Sequence, residues 1–174
     1  MLKKIGRVRD CSRRDRTFTY GTVPDDFGIK SSFTIKQTQW ERAAKSQMGK
    51  YITEMETAFI LKSVDLAKCR LVTDIGSEAG RFSLLAAKHS AEVVGVDLAS
   101  HGLKRLIQKN KLVNTTQADA RNMPMKGEVF DAVFMIEVLD YIPELEAALA
   151  ECYRTLRPEA SLVLSFGKHD ALPI

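Results

Sequence analysis

The stretch from Leu71 to Asp97 constrains this chain more than any other part of it. Leu71-Val72-Thr73-Asp74-Ile75 is a short apolar run ending at a glycine turn, the pattern of a strand buried on both faces. Gly76-Ser77-Glu78-Ala79-Gly80 follows, and residues 80–89 carry Phe82, Leu84, Leu85 and Ala86 at helical spacing. Val93-Val94-Gly95-Val96-Asp97 is a second buried strand that ends on an acid. Strand, turn, helix and strand make a βαβ unit, in which the two strands run parallel. The glycine turn then lies at the carboxyl end of the first strand, where open α/β sheets bind ligands. Glycine there lets a ligand come close to the backbone. An acid at the end of the next strand can accept hydrogen bonds from both hydroxyls of a ribose.

The alternation continues to the end of the chain. Leu103, Leu106 and Ile107 mark a further helix, a weaker strand precedes Asp119, and Phe130 to Ile136 reads as a strong strand. In the next helix Pro143 suits the first turn, Leu145, Leu149, Cys152 and Leu156 line one face, and Pro158 follows the end. Ser161 to Phe166 is the last strand. The class is α/β, a mostly parallel sheet with helices on both faces. Upstream the pattern turns helical near Gln37 and is interrupted at Gly49. A second helix runs from Lys50 to Val64, with Ile52, Met55 and Phe59 on its buried face. Thr17–Tyr20 and Ser32–Ile35 alternate on either side of the turn-rich Pro24–Gly28, which suggests a hairpin. Residues 1–36 are accordingly read as a basic arm with a hairpin, and residues 37–174 as one domain.

Charge and composition remove several function classes. The net charge of +4 is uneven: residues 1–69 hold 14 Lys and Arg against 8 Asp and Glu, and the remainder 12 against 14. Lys3, Lys4, Arg7, Arg9, Arg13, Arg14 and Arg16 crowd the first sixteen residues. Such a cluster can touch nucleic acid or an acidic partner, or stand as a solvated arm, which is the favoured reading. No apolar run approaches the roughly 20 residues of a spanning helix, so a soluble, cytoplasmic protein without membrane partners is expected. Cys11, Cys69 and Cys152 have neither zinc nor disulfide spacing. His89, His101 and His169 have no metal-ligand spacing, so no metal is expected.

The glycine turn spells Asp74-x-Gly76-x-x-x-Gly80, not the G-x-G-x-x-G of dinucleotide sites. It resembles motif I, D-x-G-x-G-x-G, of the class I (Rossmann-like) S-adenosylmethionine-dependent methyltransferases. The resemblance continues in order. Val94-Gly95-Val96-Asp97-Leu98 is similar to the family's ribose-binding strand, and Ala118-Asp119-Ala120-Arg121-Asn122-Met123-Pro124 to its A-D-A-x-x-L-P segment. Phe130–Leu139 resembles the strand that walls the site, and Leu149–Pro158 the helix after it. Ser46-Gln47-Met48-Gly49-Lys50-Tyr51 is similar to a T-P-x-G-R-Y segment of some small-molecule members. The match covers roughly residues 46–166.

This resemblance implies a Rossmann-like enzyme that binds S-adenosylmethionine through Asp74, Gly76, Ser77, Gly80, Asp97, Leu98, Asp119 and Ala120, with Tyr51 near the cofactor's carboxylate end. It implies methyl transfer to a small-molecule acceptor. Glu137, Asp140 and Tyr141, after the wall strand, are the candidates for acceptor binding or a catalytic base. Two departures stand out. Glu78 replaces the middle glycine of motif I, and the chain ends where the family continues into an antiparallel hairpin. The strand at Ser161–Phe166 is therefore expected to be an edge, inviting self-association or a cover from residues 17–36. A non-catalytic scaffold and an RNA methyltransferase that uses the basic arm are the alternative readings.

Overall fold

The computed structural model describes residues 2–5, 36–89 and 91–166. Six strands form one sheet in the order β1-β6-β5-β2-β3-β4. They are β1 (Leu2–Ile5), β2 (Leu71–Ile75), β3 (Glu92–Asp97), β4 (Asn114–Gln117), β5 (Phe130–Met135) and β6 (Leu156–Ser165). β2 through β6 are mutually parallel. From β2 the chain steps outward through β3 to β4, then returns to β5 on the other side of β2 and steps outward again. That reversal makes a crevice at the carboxyl ends of β2 and its neighbours.

Five helices cover the sheet: α1 (Gln39–Ala43), α2 (Gln47–Ser63), α3 (Arg81–Lys88), α4 (Ser100–Lys109) and α5 (Leu145–Thr155). One face packs Ile60 of α2, Phe82 and Ala86 of α3 and Leu106 of α4 on Val72, Val93, Ala132, Phe134 and Val163. The other buries Ile75, Val94, Val96, Val133, Met135, Leu162 and Leu164 with Ala148 and Cys152 of α5. β2, β3, β5 and β6 each contribute to both layers, because successive side chains alternate across a strand. At the opposite end from the crevice, Asp131 of β5 locks three strands together. Its Oδ2 accepts the N–H groups of Arg70 and Leu71 at 2.8 and 2.9 Å, and its Oδ1 accepts from Arg157 at 2.6 Å.

Several local expectations change. α2 runs through Gly49 instead of starting after it, because Ser46 caps the helix and takes the Gly49 N–H at 3.0 Å. The buried stripe of α2 is Glu56, Ile60 and Ser63, while Met55 is half exposed. Hydropathy could not place a buried acid on that stripe. Pro143 precedes α5, whose N-cap is Glu144. β6 begins at Leu156, five residues early: Pro158 cannot continue a helix, and the strand's first part pairs irregularly with β5, with Glu159 at φ +67° inside it.

The larger difference concerns the sheet edge. β6 is not unpaired: Leu2 to Ile5 run antiparallel to it, in register from Leu2↔Ser165 to Ile5↔Leu162. The start of the supposed solvated arm is thus a strand of the sheet. The proposed hairpin of residues 17–36 lies outside the described residues, apart from Lys36. Deleting residues 1–5 should lower stability by about 1–3 kcal/mol, the net worth of a few backbone hydrogen bonds. It should also speed amide exchange at Leu162–Ser165. Unchanged melting and exchange would show that β1 adds nothing to the sheet.

Candidate functional site

The loop between β2 and α3 is held from three directions. Gly76 and Ser77 donate their N–H groups to the Val96 carbonyl at 2.8 and 3.0 Å, and Gly80 donates to Ser77 at 2.7 Å. Asp97 Oδ2 accepts the Glu78 N–H at 2.8 Å. Gly76 and Gly80 sit at φ +73° and +83°, in the left-handed region. A Cβ on Gly76 would lie 2.5 Å from Val138, and one on Gly80 would lie 2.2 Å from Leu106. Glycine is therefore needed at both places for backbone angle and for space.

Glu78 takes φ +46° in the same loop, a conformation that costs a side-chain-bearing residue of order 1–3 kcal/mol. Its carboxylate turns back on its own loop, where Oε2 accepts the Ala79 N–H at 2.8 Å. Asp74 is buried beneath. Its Oδ2 accepts both the backbone N–H and the hydroxyl of Ser83, at 2.8 and 2.6 Å. Burial lifts its pKa to about 6 against those hydrogen bonds. Asp74 thus lines the cleft but spends this oxygen fastening α3.

Around the loop is a cleft of about 790 Å³. It brings together Asp74, Gly76, Ser77, Asp97, Leu98, Asp119 and Ala120 of the sequence-derived set, together with Glu137 and Tyr141. Gly80 belongs to the loop but not to the cleft wall, and Tyr51 and Asp140 also lie outside the wall. Tyr51 is exposed on α2. The roof comes from Trp40 and Glu41 of α1 and Ile52 of α2, which the motifs did not single out, and from Ser46, Met48 and Gly49 of the upstream matched segment. Glu41 fixes that roof through salt bridges to Arg105 at 3.1 Å and Lys109 at 2.7 Å. Burial alone would raise the Glu41 carboxyl; hydrogen bonds from Lys109, the Thr38 backbone and Arg105 bring it to about 2. Lys109 also donates to the Ala79 carbonyl at 2.8 Å, tying roof to loop.

Two acids stand at the ends of β3 and β4 in different states. Each Asp97 oxygen accepts one backbone N–H, Oδ1 from Ala99 and Oδ2 from Glu78. Each therefore keeps acceptor capacity for a ligand. Asp119 is gripped by Arg121, whose Nη2 lies 2.6 Å from Oδ2, and this pair holds its carboxyl down at about 2.

At the other end of the cleft, Arg81 lies between Glu137 at 2.6 Å and Glu56 at 3.2 Å, over the Phe82 ring. Glu137 adopts φ +56° and donates its N–H to Ser165 Oγ. Burial lifts the Glu56 pKa to about 7, against the attraction of Arg81. Periodicity hides Glu56, and its one sequence signal is an acid on an otherwise apolar helix face. Among the described residues no group of His, Cys, Asp and Glu is arranged to hold a metal ion. Cys69 and Cys152 are buried and form no disulfide, and burial pushes the Cys152 thiol up to about 12. No described helix is long and apolar enough to cross a membrane.

Residues 73–164, just over half of the chain, match the family described as a methyltransferase domain. The chain is 35% identical over 96 residues to sterol methyltransferase-like 1 of Botryococcus braunii, covering 51% of this chain and 25% of that protein. It is 28% identical over 134 residues to the ubiquinone biosynthesis O-methyltransferase of Pseudomonas putida, covering 72% and 56% respectively. The PH0226 protein of Pyrococcus horikoshii OT3 shares the fold, with a TM-score of 0.64 at 24% identity over 78% of this chain and 65% of that one. The chain thus spans between a quarter and just over half the length of these two curated relatives.

The two buried acids give a pH prediction. Asp74 and Glu56 bind protons more tightly folded than unfolded, so their contribution to stability is complete below about pH 4. It is lost as pH rises through about 6 and 7. The melting temperature should fall across that window, and Glu56→Gln should flatten its upper part. A Glu56→Gln profile parallel to wild type would show that Glu56 does not titrate there.

Proposed function

This chain belongs to the methyltransferase domain family, and we propose that it binds S-adenosylmethionine in the cleft above β2 and β3 and transfers the methyl group to a small-molecule acceptor. The observation that carries this reading is Asp97. Its carboxylate stands at the end of β3, beside the crevice at the carboxyl end of β2, both oxygens anchored by backbone N–H groups and both with acceptor capacity left for two ribose hydroxyls. The cleft has the size expected of a cofactor pocket, where about 300–1,000 Å³ is usual.

In this reading Asp97 holds the ribose, Leu98 and Ala120 flank the base, and Asp119 faces its amino group. The loop at Gly76–Gly80 passes beneath the ligand. When bound, S-adenosylmethionine supplies a methyl group already activated on a sulfonium, so the protein's task is chiefly alignment. Arg81 and the backbone of Glu137, fixed by Ser165, form the wall toward the acceptor. Tyr141 is exposed at the mouth with its hydroxyl available. Glu137 is engaged with Arg81, which makes it a positioning group in this reading and not a free base.

The relatives named for sterol and ubiquinone methylation favour an acceptor with a large apolar body. Trp40, Met48, Ile142 and Pro143 at the cleft give such a body an apolar surface. The tests are calorimetric. Asp97→Ala should weaken S-adenosylmethionine binding by about 2–4 kcal/mol, roughly 30- to 1,000-fold, through loss of two charge-assisted hydrogen bonds. Equal binding by this variant would remove the ribose assignment. No binding by the wild type at millimolar ligand would overturn the reading and leave the scaffold alternative.

Glu78→Gly should bind the cofactor more tightly than wild type. Glycine takes the left-handed angle at Glu78 without strain, and the change frees the Ala79 N–H and removes a carboxylate from the loop. Weaker binding would mean that the Glu78 carboxylate helps shape the loop for its ligand.

A further inference from the structure

The two acids that would hold the nucleoside are not equally available. Asp97 has one donor on each oxygen. Asp119 has two: Oδ1 accepts the Arg121 N–H at 2.9 Å and Nε at 3.0 Å, and Oδ2 accepts Nε at 3.1 Å and Nη2 at 2.6 Å. A carboxylate offers about four acceptor positions, and three N–H groups of Arg121, with Nε–H shared between both oxygens, crowd those of Asp119. An amino group arriving at Asp119 therefore competes with a guanidinium that is already seated.

Arg121 has a second seat. Its Nη1 lies 3.1 Å from Glu144 Oε2, in the segment that leads from Tyr141 into α5. Arg121 is thus shared between the acid on the nucleoside side and an acid beside Pro143, on the wall toward the acceptor. Both pairs are solvent-accessible, so giving up the Asp119 contacts while keeping Glu144 is a small energetic step.

We propose that Arg121 is a latch: nucleoside binding displaces its guanidinium from Asp119, and the arginine stays held by Glu144. This rests on the cofactor reading above and goes beyond it in two ways. First, Arg121 lowers cofactor affinity, because each binding event must break its contacts with Asp119. Second, it links the two halves of the site, because a displaced Arg121 ties the Asp119 loop to the Tyr141–Glu144 segment. Arg121 is a positioning residue here, since it acts through Asp119 and Glu144.

The experiment is a binding cycle with S-adenosylhomocysteine, whose net charge near neutrality removes the sulfonium from the comparison. Arg121→Ala should bind it about three- to tenfold more tightly than wild type, the range expected for releasing an exposed but well-aligned ion pair. S-inosylhomocysteine, which has an oxygen in place of the adenine amino group, should show no such gain. Glu144→Gln should weaken S-adenosylhomocysteine binding a few-fold in wild type and have no effect when combined with Arg121→Ala. A purely structural role for Arg121 predicts the opposite sign, so equal or weaker binding by Arg121→Ala overturns the latch. So does an equal gain for both ligands, because release of the amino-group partner would then not be its cause. If neither wild type nor Arg121→Ala binds S-adenosylhomocysteine, the cofactor reading falls, and the latch with it.

Discussion

The carboxylate of Asp97 joins the end of β3 to the loop that leaves β2. It takes the Glu78 N–H on one oxygen and the Ala99 N–H on the other. The loop needs this anchor because its backbone turns through three left-handed residues, Gly76, Glu78 and Gly80. Such a path persists only where its surroundings over-determine it. Val96 fixes its start, Asp97 its middle and Lys109 its Ala79 carbonyl. Asp74, from below, holds the first turn of α3 through Ser83. The crevice at the switch point is therefore bounded by a backbone surface that is rigid before any ligand arrives, and rigidity of this kind reduces the ordering cost of binding.

A second anchor works at the far side. Arg81 leaves the first position of α3 and meets Glu56 from α2 and Glu137 from the end of β5. A buried acid on an apolar helix face would be costly alone. Opposite Arg81 the cost is reduced but not removed, which is why burial still dominates and the Glu56 carboxyl stays near neutral. The ion pair also holds Glu137 in its left-handed conformation, together with Ser165 of β6. Four separate elements, α2, α3, the end of β5 and β6, thus converge on the wall of the cleft that faces away from the nucleoside side.

The strands at Leu71–Ile75, Val93–Asp97 and Phe130–Met135 were legible because central parallel strands are buried on both faces and read as continuous apolar runs. Gly76, Gly80 and Asp97 were legible because backbone angle and charge at a strand end leave a local mark. Other features carry no local mark. Leu2–Ile5 is a basic, weakly apolar tetrapeptide, and its role as a strand depends on a partner more than 150 residues away. Glu56 looks like any acid on a helix until Arg81 is placed opposite it. Asp119 was legible as an acid after the β4 strand, and it lines the cleft, but its occupation by Arg121 depends on how the side chains settle in the loop. Tyr51 was drawn from a short upstream likeness, and the turn of α2 carries it to the outside.

The roof of the cleft shows why the family match alone understates the site. That match begins at Thr73, inside β2, yet Trp40, Met48 and Ile52 close the cleft from upstream. α1 has only five residues and no buried residue of its own, so packing alone does not hold it. Its position comes from polar contacts: the capping box between Thr38 and Glu41, and the reach of Glu41 to Arg105 and Lys109 of α4. Because Lys109 also holds the Ala79 carbonyl, the roof is fastened to the loop beneath it. A short helix held by partly exposed ion pairs is more readily opened than one held by a core. The same cleft thus combines a loop over-determined by backbone hydrogen bonds with a cover held in place by charges.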